Sequence, residues 1–408
     1  MAEISKGRSP FSPGQPVPVE LFAGRQEQIE RIMTRGVGQV ALGKPYAIFV
    51  QGEYGIGKSS IASFVQWRAE REYNLHGIYV SLGGCKNLED VAEAVLKATF
   101  RSGAFDPKRF EQIRNFLADL GTQDMFGFSL NLAALKAHAP SLTSHMGMLE
   151  FLSETKKRLE QTGVKGIFLV LDEINGIASD PQFANFLKGL VDTNAISGNP
   201  LPLLLMLCGV EERRRELIKA HQPIDRIFDV VEIPTMTEGE MAEFFLRAFA
   251  EAKMTIEEGV MPLFTYYSAG FPKIMHLIGD SVYWLDKDGI IGMKDATGAV
   301  VEAADELGKK FVDQQIMKAL RTEEYRSILD KIALAAMGGT QPNPYFMKED
   351  ISSKLTDSEK KKFNNFLQRM KKLKVLRLGD VKGEYIFNIR MVWFYIYLQS
   401  TRKKKTST

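Results

Sequence analysis

The stretch Gln51-Gly52-Glu53-Tyr54-Gly55-Ile56-Gly57-Lys58-Ser59-Ser60-Ile61, written QGEYGIGKSSI, decides the architecture of this 408-residue chain. From Gly52 to Ser59 its spacing is G-x-x-x-x-G-K-S. Glycines at those positions let the backbone wrap so that successive N–H groups converge, and a following helix adds its positive N-terminus; together they make a phosphate cradle. In such a loop Gly52, Glu53, Tyr54, Gly55, Ile56, Gly57, Lys58, Ser59 and Ser60 surround the phosphates. Lys58 reaches the β- and γ-phosphates and Ser59 offers its hydroxyl to Mg²⁺. A plain glycine turn has a similar composition, so the flanks matter. "YAIFV" (46–50) before it is apolar and β-prone, and "SSIASFVQWRAEREY" (59–73) after it has helical period. The dinucleotide fingerprint G-x-G-x-x-G has the opposite order of glycines and is excluded.

Working outward, "GIYVSL" (77–82), "GIFLVLDE" (166–173), "PLLLMLCGV" (202–210) and "DVVEIP" (229–234) are further apolar strand runs, separated by helical patterns. Residues 87–160 read as mostly helical, with a β-prone island at "FGFSL" (126–130). Alternation of this kind predicts an α/β fold, a parallel sheet sandwiched by helices of the P-loop NTPase type. After Pro234 the pattern turns helical through 237–319. Residues 322–399 then read as three helices, a two-stranded wing (374–389) and an aromatic helix. No internal repeat occurs. The expected domains are an extended segment 1–19, an ATPase core 20–234, a helical lid 235–320, a winged-helix-like domain 321–399 and a basic tail 400–408.

A phosphate loop needs a second metal anchor at the end of a neighbouring strand. "IFLVLDE" supplies Asp172 for Mg²⁺, and Glu173 beside it can polarise an attacking water as general base. Acids often end strands merely because the following loop is solvated; here the phosphate loop pairs with them and favours chemistry. ATP and Mg²⁺ are the expected ligands.

Bulk properties narrow the classes. Hydrophobic content of 45% and charged content of 25% are those of a globular protein. Cys85 and Cys208 lie in no metal-ligand spacing, which fits a reducing, cytoplasmic setting. The first 20 residues lack an apolar signal core, and the longest apolar run, Leu201 to Val210, falls short of the roughly 20 residues of a membrane span. The net charge of +3 is unevenly spread. Residues 351–408 hold eleven Lys and four Arg against two Asp and two Glu, a net +11, which leaves −8 on the other 350 residues. Such asymmetry marks a basic interaction surface on an acidic body.

Several motifs together resemble the AAA+/STAND P-loop ATPases of the origin-recognition/Cdc6-like and archaeal-type group. "LFAGRQEQIERI" resembles their F-x-GR box, "SAGFPKIMHLIGDSV" (268–282) their G-x-P-[R/K] lid motif, and "EYIFNIRMVWFYIYL" (384–398) the end of their winged helix. The resemblance spans about residues 10–399 and implies roles. Arg25 lies near the adenine end; Lys273 is the sensor over the γ-phosphate, where arginine is commoner. Arg226 is the arginine donated to a neighbouring subunit, with Arg213, Arg214 and Arg215 as competitors. That implies a homo-oligomer. Cys208 stands where the family carries Asn, Thr or Ser, and as a weak hydrogen-bonding group it accords with a slow, switch-like ATPase.

The segment "DSEKKKFNNFLQRMKKLKVLRLGDVKGEY" (357–385) carries the basic surface. Phe363, Phe366, Leu367, Met370 and Leu373 recur at helical spacing as a core face, leaving Lys360, Lys361, Lys362, Arg369, Lys371 and Lys372 mainly on the others. A winged helix of this charge can place such a helix in a DNA major groove, with Arg377 and Lys382 on phosphates and the tail "RKKK" (402–405) adding contacts. Double-stranded DNA through 360–382 and a protein effector, as in a signalling or defence switch, remain the two candidate partners. No membrane association is expected.

Overall fold

The computed structural model describes residues 6–15, 17–120, 137, 139–335 and 344–406; the β-prone island 126–130 lies outside them. The chain divides into two compact units, Pro16–Pro234 and a discontinuous one made of Met1–Gln15 with Thr235–Thr408.

The first unit is a P-loop NTPase fold. Its five strands are β1 (Tyr46–Gln51), β2 (Leu75–Ser81), β3 (Gly166–Asp172), β4 (Leu203–Gly209) and β5 (Asp229–Glu232). They form one sheet in the order β2-β3-β4-β1-β5, every pair parallel. β3 and β4 are buried along their whole length, which is why they read as unbroken apolar runs: helices cover both faces, so no position faces water. Helix α1 spans 26–41 as Gln26–Arg31, the wider π-turns Ile32–Val37 and Gly38–Ala41. α2 (Lys58–Glu72) leaves the glycine loop. α3 (Leu88–Arg101), α4 (Pro107–Asp119), α5 (His145–Arg158) and α6 (Pro181–Ile196) each begin at a side-chain cap, from Asn87, Asp106, Ser144 and Asp180 in turn. Their apolar faces meet the sheet in a core that includes Phe49, Ile78, Val95, Leu152, Leu169, Phe183 and Leu205. α7 (Glu211–Ala220) follows β4.

Parallel register brings one set of strand ends together. Ser81 pairs with Asp172, Val50 with Cys208, and Gln51 with Gly209, all at the carboxyl edge from which the glycine loop emerges. Ligands of open parallel sheets bind beyond that edge.

The second unit begins with α8 (Glu238–Glu251), α9 (Val260–Ser268), α10 (Pro272–Leu285) and α11 (Met293–Leu307), the last running into π-turns over Gly308–Met317. Thr237 and Glu240 form a reciprocal capping box on α8. Two strands of two residues each, β6 (Thr255–Ile256) and β7 (Ile290–Ile291), pair in parallel here, in a stretch read from sequence as helical only. Then come α12 (Glu323–Ala335), β8 (Tyr345–Met347), α13 (Lys348–Ser352), α14 (Asp357–Lys372), β9 (Leu376–Leu378), β10 (Glu384–Phe387) and α15 (Arg390–Thr406). β10 is central between β8 and β9, both antiparallel to it, so the expected two-stranded wing has a third strand. Trp393 of α15 is buried and donates its indole N–H to the Ala333 carbonyl at 3.2 Å.

The early residues complete this second core. Phe11 is buried, with its ring 4.9 Å from that of Phe249 and 6.0 Å from that of Phe244. A Cβ added at Gly279 would come within 2.1 Å of the Phe11 ring, so α10 is glycine there to admit it. The Ser12 amide donates to Nδ1 of His276 at 3.2 Å, which puts the neutral imidazole proton on Nε2. Burial holds His276 in that neutral form, with its pKa lowered to about 4.

Candidate active site

The glycine loop links β1 to α2 through two left-handed residues, Gly55 (φ 77°) and Gly57 (φ 100°), a backbone that a side chain would strain. Gly57 is the residue just before the helix, so the first free N–H groups of α2 face the loop. Lys58 curls over it, donating to the carbonyls of Gly52 at 3.1 Å and Glu53 at 2.8 Å. Ile56 is buried beneath, while Tyr54 is exposed. The hydroxyl of Ser60 accepts the Val17 amide at 3.2 Å. Arg25 is buried, has a left-handed backbone (φ 63°) and donates from Nη2 to the Ile56 carbonyl at 3.1 Å. Its placement is therefore against the wall of the loop.

The two acids stand at the end of β3. Asp172 is 4% exposed and accepts the Glu173 amide on Oδ1 at 2.8 Å. Its other oxygen accepts the Tyr79 hydroxyl from β2. Burial first, and the Asp172 charge second, push the Tyr79 pKa far above that of a free phenol, so it stays a donor. Glu173 adopts a left-handed backbone (φ 57°), unusual for a residue with a side chain, and its carboxylate accepts the Ser81 hydroxyl at 2.9 Å. A Cβ at Gly83 would come within 2.7 Å of that carboxylate, so a small residue leaves it room. Cys208 is buried at the end of β4; burial, then the neighbouring Asp172 charge, raises its thiol pKa. It is a neutral thiol beside the acid.

Of the predicted residues, Lys58, Ser59, Asp172 and Glu173 are thus gathered at the carboxyl edge of one sheet. Tyr79 and Ser81 escaped the sequence reading. The available signal was two polar residues at i and i+2 ending an otherwise apolar strand, hence on one face and at one edge. The hard oxygens of Ser59 and Asp172 fit Mg²⁺, which takes one or two protein ligands and completes its shell with phosphates and water. Among the described residues no cluster of three His, Cys, Asp or Glu offers an all-protein metal cage instead.

The arginine candidates differ. Arg213 pairs with Glu216 at 2.6 Å, Arg214 with Asp225 at 2.7 Å and Gln51 at 3.1 Å, and Arg215 with Glu211 at 2.6 Å. Arg226, at the end of the short helix Gln222–Arg226, is exposed and makes no ion pair among the described residues. Lys273 belongs to the second unit, in the first turn of α10. Burial, then the Lys310 charge, lowers its pKa. Just before it, Gly270 (φ 78°) touches backbone that a Cβ would strike at 2.6 Å, which explains the glycine of the G-F-P-K motif.

Residues 21–206 match the family model of the AAA ATPase domain. That span carries the loop, both acids, Tyr79 and Ser81. Among the solved structures that share the fold are the following two. The Walker-type ATPase of Pyrococcus abyssi is 16% identical with a TM-score of 0.58, covering 92% of this chain and 96% of its own. The ORC2 protein of Aeropyrum pernix, solved in ADPNP and ADP complexes, is 14% identical with a TM-score of 0.59, covering 94% and 95%. No curated protein matches the chain in sequence. Among the described residues, no helix is long and apolar enough to cross a membrane.

Proposed function

We propose that the chain is an ATP-hydrolysing AAA+/STAND-like ATPase whose nucleotide-dependent assembly is coupled to double-stranded DNA. The observation carrying hydrolysis is the pair of acids: Asp172 turned inward and Glu173 aimed outward by a left-handed backbone at the edge where the phosphate loop opens. In this reading the amides of Gly55 to Ser60 hold the β- and γ-phosphates. Lys58 leaves the carbonyls of Gly52 and Glu53 for phosphate oxygens, exchanging neutral acceptors for charged ones. Mg²⁺, held by Ser59 and Asp172, offsets phosphate charge when bound. Glu173 accepts a proton from the attacking water, and Ser81 fixes which of its oxygens is free to do so. Arg25 braces the loop, Lys273 reads the γ-phosphate, and Arg226 of a neighbouring copy completes the site. Arg226 is favoured over Arg213, Arg214 and Arg215 because those three already have acidic partners within their own chain.

The DNA half of the proposal rests on α14 and the β9–β10 turn, read as a winged helix. Phe363, Phe366, Leu367 and Met370 are buried, so the opposite face is free for charge. Lys360, Lys361, Lys372, Lys374, Arg377 and Lys382 are all exposed, whereas Lys362 is drawn to Glu324 at 2.6 Å. One observation favours a protein effector instead: Leu378 and Val381, 56% and 62% exposed, put apolar surface at the wing among the charges.

ATP turnover with and without duplex DNA, at low and moderate salt, tests both. DNA stimulation that fades with salt and disappears in Glu173→Gln supports the coupled ATPase. Turnover that needs Glu173 but ignores DNA supports the effector reading. Absence of turnover reduces the chain to a nucleotide-binding module.

A further inference from the structure

We infer that Tyr79 is a positioning residue for the metal site, its phenol hydroxyl orienting the Asp172 carboxylate that would hold Mg²⁺; the inference rests on the nucleotide-site reading above. Tyr79 comes from β2, on the far side of β3 from the glycine loop's own strand. Its hydroxyl donates to Asp172 across the strand boundary.

Asp172 has its Oδ1 fixed by the Glu173 amide and its Oδ2 fixed by Tyr79, so the carboxylate plane is set before any ligand arrives. The phenol is unlike a water in the same place: it is anchored on a strand whose Tyr79 lies opposite Val170 in the sheet, and needs no ordering on binding. The arrangement makes Mg²⁺ affinity depend on a residue that touches neither metal nor nucleotide. Groups that orient metal ligands from behind change affinity by about 10- to 100-fold when removed.

Binding of a fluorescent ATP analogue, titrated with Mg²⁺ from a chelator-treated baseline, separates the cases in full-length wild type, Tyr79→Phe, Asp172→Asn and the double variant. The expected result for Tyr79→Phe is a rise of about tenfold or more in the Mg²⁺ midpoint, with Mg²⁺-free nucleotide affinity within about twofold of wild type. In the Asp172→Asn background the same substitution should move the midpoint no further, because the carboxylate that Tyr79 orients is gone. Mn²⁺ electron paramagnetic resonance reads occupancy directly and should follow the same order. An unchanged or lower midpoint in Tyr79→Phe overturns the inference, as does equal loss with and without metal, which marks a distorted loop. Wild type that binds no nucleotide at all overturns the nucleotide reading itself, and this inference with it.

Discussion

Lys58 and Glu173 show how single residues of the loop are set for different tasks. The ammonium of Lys58 sits on two backbone carbonyls at 3.1 and 2.8 Å. Lys58→Ala should weaken ATP binding roughly 10- to 100-fold, the worth of one charge-assisted contact, as measured by calorimetry with wild type as reference. Away from the site, Glu70 and His76 oppose each other. Glu70 accepts the Gly77 amide at 3.1 Å, and burial raises its pKa to about 7. It takes up its folded-state proton far above the ordinary 4.5, so between those values stability falls as pH rises. His76 is buried against Arg109 with its pKa lowered to about 3 from 6.5, so its contribution is lost as pH falls through that range. Between pH 4.5 and 6.5 the two slopes cancel in part. Glu70→Gln removes one, and relative to wild type it should lose roughly 2 kcal/mol of stability on going from pH 7.5 to 5, read from urea midpoints. A profile parallel to wild type would count against the assignment. At this scale the sequence showed the donors but not their partners. Lys58, Ser59, Asp172 and Glu173 stand in a spacing with a physical meaning, whereas Tyr79 and Ser81 matter only because parallel register brings β2 beside β3.

At the scale of elements, the five strands of the sheet were legible because each is a run of four to seven residues with an apolar core. β6, β7 and β8 were not. With two or three residues each, and no alternating run around them, they cannot display a period of two. α14 was read with the right buried face except for Leu373, which is half-buried at the helix end. Its charge makes a prediction that separates partners. Replacing Lys360, Lys361, Lys372 and Lys374 by glutamine should leave stability nearly unchanged, since all four are exposed. It should lower the slope of log affinity for duplex DNA against log salt by up to about 0.9 per contact removed. An unchanged slope would place DNA elsewhere or exclude it.

Across the whole molecule, the division into two units falls after Pro234, and the second unit also includes Met1–Gln15. Periodicity could not reveal that, because one phenylalanine in a Pro- and Ser-rich stretch has no pattern. Only the hole over Gly279 identifies its place. Phe11→Ala should therefore cost the second unit about 3–5 kcal/mol, as large buried aromatics do. Calorimetric melting should show the transition of that unit fall, and a melt unchanged from wild type would disprove the docking.

The same attachment carries a schedule for synthesis. A ribosome makes about 5–20 residues per second, and Phe11 emerges long before Phe244, Phe249 and His276 exist. The nascent chain must keep that segment waiting, unpartnered, while the whole of Pro16–Pro234 is translated and folds. A chaperone or a fused tag that captures the first residues in that interval would leave the earlier unit intact and starve the later one of its last side chain.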